Sequence, residues 1–157
     1  MIVCMANCAY LSETSRMIGI HRALQAAGAA VTMATHGGSH LHVLRDAGIP
    51  FTLLEPTVSD ERSRQLIANG PGMGPPNQSI WTDDEIRRSV AAERDYFDAT
   101  GARAVVTGFQ LTTLLSSRLA GIPTITSHAG SWVPPVFDRG LLPPMDIGAP
   151  GFARLLP

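Results

Sequence analysis

The stretch that decides the fold is residues 1–38, MIVCMANCAYLSETSRMIGIHRALQAAGAAVTMATHGG. Residues 1–6 (MIVCMA) form a short apolar run, and residues 7–12 (NCAYLS) a small connection. Residues 13–27 (ETSRMIGIHRALQAA) carry apolar side chains at helical spacing as far as Gly28. Residues 30–35 (AVTMAT) are a second apolar run, closed by His36, Gly37 and Gly38. Strand, helix and strand in so short a span make a βαβ unit, with a right-handed crossover and parallel strands. In open α/β sheets ligands bind beyond the carboxyl ends of the strands. The connection at 7–12, the first helical turn and His36–Gly38 all fall at that edge.

The same alternation continues outward. Residues 39–47 predict a helix stopped by Gly48, with Leu41 and Leu44 inward and His40 and His42 at the surface. Residues 49–55 predict a strand opened by Pro50. Residues 59–68 predict a short helix. Residues 69–78 (NGPGMGPPNQ) hold three glycines and three prolines, which excludes regular structure and predicts a mobile loop. Thr82-Asp83-Asp84-Glu85 is a capping-box start for a helix to about Thr100, with Ile86, Val90, Glu93 and Phe97 roughly in line. Residues 102–107 and 122–126 predict strands around a helix at 111–120, a second βαβ unit. The expected fold is therefore α/β: a Rossmann-like, doubly wound parallel sheet of five or more strands with helices on both faces, its first strand central. In the first helix, Met17, Ile20, Leu24 and Ala27 form the expected inward stripe, Ser12 the N-cap, and His21 and Arg22 the solvated side.

Composition narrows the function. At 157 residues with 45% apolar and 16% charged side chains, the chain is expected to be one globular domain, residues 1–157. The formal net charge is −1 and no basic stripe stands out, so a nucleic-acid partner is not expected. All twelve basic residues are Arg, which removes any Lys-based Schiff base or phosphate anchor. Cys4 and Cys8 are the two cysteines, and their spacing without a second ligand pair predicts no metal site. No stretch is long and apolar enough to span a membrane, and the apolar start lacks a basic leader. A reduced, cytoplasmic chain is expected. Residues 131–157 are proline-rich and lack an element of useful length. The sequence therefore predicts a chain that stops within a larger protein, or a tail that docks on a partner.

Several motifs are absent. No Gly-x-Gly-x-x-Gly follows the first strand, against a dinucleotide enzyme, and no Gly-x-Ser-x-Gly marks an esterase elbow. Thr35, Glu55 and Thr107 at strand ends are not the Asp of a phosphoacceptor domain. Glu13 is the carboxylate of the first unit at the predicted strand edge. It suits a proton acceptor, or an acid drawn to a positive helix end, whose field would stabilise the carboxylate and weaken it as a base. Arg16 suits either a ligand oxygen or an i, i+3 pair with Glu13.

Taken in order, Ser12-Glu13 and then residues 22–35 (RALQAAGAAVTMAT), followed by residues 120–125 (AGIPTI) and Gly130, resemble motifs of one glycosyltransferase family. This is the two-domain GT-B family, whose first unit ends in ALxxxGHxVxxAT and whose later helix ends in AGxPxV. The resemblance is to its N-terminal, acceptor-binding half, particularly in bacterial natural-product enzymes that use UDP- or TDP-sugars. It covers residues 1 to about 135. It implies inverting transfer of a sugar to a small-molecule hydroxyl acceptor, with no cofactor. Glu13 falls where the family usually has a His or Asp general base. Ser12, Arg16, His36, Met73, Phe109, His128 and Trp132 are the implied acceptor-binding residues. The half that holds the nucleotide sugar is missing, so the donor is expected to bind through an absent C-terminal domain. Alternatives are another GT-B enzyme such as a nucleotide-sugar epimerase, or a non-catalytic acceptor-binding or docking subunit of a split transferase.

Overall fold

The computed structural model describes residues 1–69 and 81–127. Along the chain run β1 (Ile2–Met5), α1 (Leu11–Ala26), β2 (Val31–Gly37), α2 (Leu41–Asp46) and β3 (Thr52–Val58). Then come α3 (Asp60–Asn69), α4 (Asp83–Thr100), β4 (Ala104–Thr107), α5 (Leu111–Leu119) and β5 (Thr124–Thr126). The sheet has five strands in the order β3-β2-β1-β4-β5, and all four pairings are parallel. β1 is central, as the sequence predicts. Its register sets Cys4 beside Met33 on one side and Val106 on the other.

Alternation along the buried strands feeds two cores. Cys4, Met33 and Val106 face Met17 and Ile18 of α1 and Leu44 of α2. Val3, Met5, Ala34 and Val105 face Phe97 of α4. Helices thus cover both faces of the sheet, which a buried parallel sheet requires. The 3-2-1-4-5 order reverses direction between β1 and β4, so the crevice of an open α/β sheet lies between their carboxyl ends.

Local signals explain most boundaries. At α4, Thr82 Oγ1 accepts from the Glu85 N–H at 3.1 Å while the Glu85 carboxylate accepts from the Thr82 N–H at 2.8 Å. The helix stops at Gly101, whose φ of 58° suits a residue without a side chain. Three details differ from the expectation. α1 begins at Leu11 with Tyr10 as its cap residue, so Ser12 is its second residue and caps nothing. The turn before it closes instead through Asn7, whose Oδ1 accepts from the Ala9 N–H at 3.2 Å. The buried face of α1 is Thr14, Met17, Ile18 and His21, because the helix packs on α2 as well as the sheet. Ile20 and Leu24 are only partly buried, and Ala27 falls beyond the helix end. β3 starts after Pro50 and carries Pro56 inside it; as an edge strand it tolerates the missing N–H. The Gly/Pro stretch expected to be mobile, Met73 within it, and the proline-rich segment with His128 and Trp132 lie outside the described residues apart from Asn69.

Candidate functional site

Glu13 sits in the first turn of α1 and reaches across the crevice to the loop after β4. Its Oε1 accepts from Arg16 Nη1 at 2.6 Å, and its Oε2 accepts from the Phe109 N–H at 3.2 Å. Arg16 also donates to the Ser127 carbonyl at 3.3 Å, just beyond β5. Asn7, after β1, donates from Nδ2 to the Phe109 carbonyl at 2.7 Å. The Phe109 peptide is therefore gripped at both ends, by Glu13 on its N–H and Asn7 on its C=O. Gly108 makes this fit possible: a Cβ there would overlap the Glu13 carboxylate. The Glu13 side chain is 12% exposed. Each carboxylate oxygen has two acceptor positions, so one protein contact per oxygen leaves capacity for an incoming hydroxyl.

A second carboxylate lies deeper. Glu93 of α4 is fully buried on the inner face of its helix. Its Oε1 accepts from Thr112 Oγ1 at 2.7 Å and Gln110 Nε2 at 3.4 Å, and its Oε2 accepts from the Ser116 hydroxyl. His36 Nε2 lies 3.1 Å from the same Oε1. His36 Nδ1 lies 3.1 Å from the Pro56 carbonyl, which can only accept, so Nδ1 is the donor of that bond. Both ring nitrogens are thus committed to the protein. A carboxylate this deep is costly without partners, and these four groups supply them.

Above this network is a narrow crevice lined by, among others, Asn7, His36, Trp81, Ser89, Gln110 and Thr112. Its free volume is about 20 Å³, enough for one water-sized group. The cysteines do not contribute a ready nucleophile. Burial pushes Cys4 up to about 11 and raises Cys8 as well, so both stay thiols near neutrality. Among the described residues no group of three His, Cys, Asp or Glu is arranged to hold a metal, and no helix is long and apolar enough to cross a membrane.

Of the residues singled out from the sequence, Glu13, Arg16 and the Phe109 backbone meet at one point. The Phe109 ring is 60% exposed beside them, and Ser12 is exposed on α1. His36 lines the neighbouring crevice but is locked. Met73, His128 and Trp132 fall outside the described residues. Sequence reasoning missed Asn7, Glu93 and Gln110. An acid in line with Ile86, Val90 and Phe97 was the available signal for Glu93. Gln110 occupies a helix-cap position, where Ser, Thr, Asp or Asn is favoured, and its side chain makes no cap bond.

No protein-family model and no curated protein matches the chain. Solved structures do. MurG of Acinetobacter baumannii is similar at 15% identity with a TM-score of 0.57, over 81% of this chain and 35% of that one. Glycosyltransferase VinC, solved in complex with dTDP, aligns at 16% identity and a TM-score of 0.58, over 93% and 40%. Glycosyltransferase SsfS6 of Streptomyces sp. SF2575, solved with thymidine diphosphate, aligns at 22% identity and a TM-score of 0.54, over 81% and 38%. The chain thus spans well under half the length of each of these. Its five-stranded parallel sheet with helices on both faces is Rossmann-like, the fold it shares with the aligned part of these solved structures.

Proposed function

We propose that this chain is the N-terminal, acceptor-binding domain of an inverting GT-B glycosyltransferase, with a C-terminal nucleotide-sugar domain completing the enzyme. The observation that carries this reading is Glu13 at the β1/β4 switch point, fixed by Arg16 and the Phe109 N–H over Gly108. In the proposed reaction the acceptor oxygen attacks the anomeric carbon. The bond from that carbon to the nucleotide diphosphate breaks, and the diphosphate leaves with the electron pair. The acceptor proton passes to the Glu13 carboxylate. Arg16 holds that carboxylate in one rotamer. His36 is a poor alternative base, because neither ring nitrogen is open. It serves instead as a wall of the acceptor crevice. Ser12 and Phe109 flank Glu13 on the open side and are proposed to meet the acceptor, with Met73, His128 and Trp132. The acceptor is a small hydroxyl-bearing compound of natural-product type, and the setting is the cytoplasm.

The test is a transfer assay on the longer protein that carries the second domain, with UDP- and dTDP-sugars and a panel of phenolic and aliphatic alcohols. Transfer with inversion at the anomeric carbon, read by NMR of the product, is expected. No transfer with any pair, or retained configuration, contradicts the proposal.

A further inference from the structure

Gln110 is placed where a helix cap belongs and does no capping. Its Nε2 is drawn inward to the buried Glu93 carboxylate at 3.4 Å. This fixes the amide, and Oε1 becomes the free end. That oxygen is buried and accepts from none of the described residues, although Gln110 is only 9% exposed. An acceptor left in this state costs free energy that a matching donor recovers. Buried atoms of His21 and Thr113 also lack partners among the described residues, but neither residue lines the crevice. Gln110 does, together with Asn7, His36 and Trp81, in a space of about 20 Å³. That volume admits one hydroxyl oxygen.

The geometry points to a single-donor subsite: Gln110 Oε1 accepts from one hydroxyl of the sugar-accepting compound, seated in the crevice, and Glu93 is the residue that positions the amide. This rests on the acceptor-domain reading above and names a specificity element within it. Glu93 itself does not touch the ligand. Its carboxylate acts through Gln110 Nε2, while Thr112 and Ser116 hold it in place. A substrate presenting an ether or carbonyl oxygen there would face Oε1 with no proton between them and be rejected. Sites built around a buried polar group discriminate in this way.

The test compares phenol with fluorobenzene, whose fluorine matches the hydroxyl in size and lacks the donor, on the isotopically labelled 157-residue chain. The readout is NMR of the Gln110 side-chain amide and the Trp81 indole. Saturable millimolar phenol shifts at both, with fluorobenzene at least tenfold weaker, are expected. Gln110→Met should abolish the preference for phenol at an unchanged fold. Ser116→Ala loosens Glu93 and should weaken phenol while sparing fluorobenzene. Equal response to both probes, or no response at Gln110, overturns the subsite, and the wild-type comparison decides this even where a variant fails to fold. Phenol binding without sugar transfer by the longer protein would leave the subsite standing and remove the transferase reading. Transfer with no phenol-dependent shift at Gln110 would do the reverse.

Discussion

Glu13 and Gly108 work as a pair. The carboxylate occupies the space a side chain at 108 would need. Gly108→Ala should therefore evict Glu13, since the flexible end of a side chain moves more readily than backbone. The lost Phe109 hydrogen bond is worth about 1 kcal/mol, which lowers the melting temperature by about 2–4 °C in a chain of this size. A structure of the variant with Glu13 still bonded to the Phe109 N–H would contradict this. His21 supports a second prediction. It is buried on α1 with Nδ1 unpartnered among the described residues, and burial, aided by Arg22, holds its pKa below the ordinary value. The unfolded chain then binds a proton the folded chain resists. The stability from neutral His21 is therefore complete above the unfolded pKa near 6.5 and is lost as pH falls toward the lower folded value. Melting curves between about pH 6.5 and 5 should show this slope, flattened in His21→Gln. An identical slope in the variant would assign it to other groups.

At the scale of elements, α4 depends on its capping box. Thr82→Ala removes the hydroxyl that accepts from the Glu85 N–H and should cost about 1 kcal/mol, or about 2–4 °C in melting temperature. A melting temperature unchanged within error would show that Arg62, bonded to Glu85 at 2.8 Å, holds the helix start unaided. Signals of this local kind made most of the fold legible. Two apolar runs around a helix, the Thr82–Glu85 box and the stops at Gly28, Gly48 and Gly101 each act within a few residues. Register and cap details were less legible, because α1 packs on two neighbours and turned His21 inward. The Glu93 network was not legible as a site. Its members come from β2, α4 and the start of α5, and only the folded sheet brings them together. The place of Glu13 at the sheet edge was legible because the first turn of the helix after the first strand follows from chain order alone.

At the scale of the molecule, the strand order places the β1 and β4 loops side by side, and the candidate chemistry follows from that juxtaposition. The Glu13–Phe109 bond joins residues 96 positions apart in the chain. No Gly-x-Gly-x-x-Gly follows β1 in the sequence, so calorimetry on this chain with UDP- and dTDP-sugars should show no micromolar binding. Micromolar binding would place the donor site in this domain. The central claim, that Glu13 accepts the acceptor's proton, is tested most directly by Glu13→Gln in the longer two-domain protein. Gln keeps the size and the capacity to accept from the Phe109 N–H but cannot take a proton. Turnover at saturating substrates should fall by about a hundredfold or more, with a melting temperature within a few degrees of wild type. Wild-type turnover from a variant that melts normally would contradict the account and leave Glu13 as a charge at a helix end.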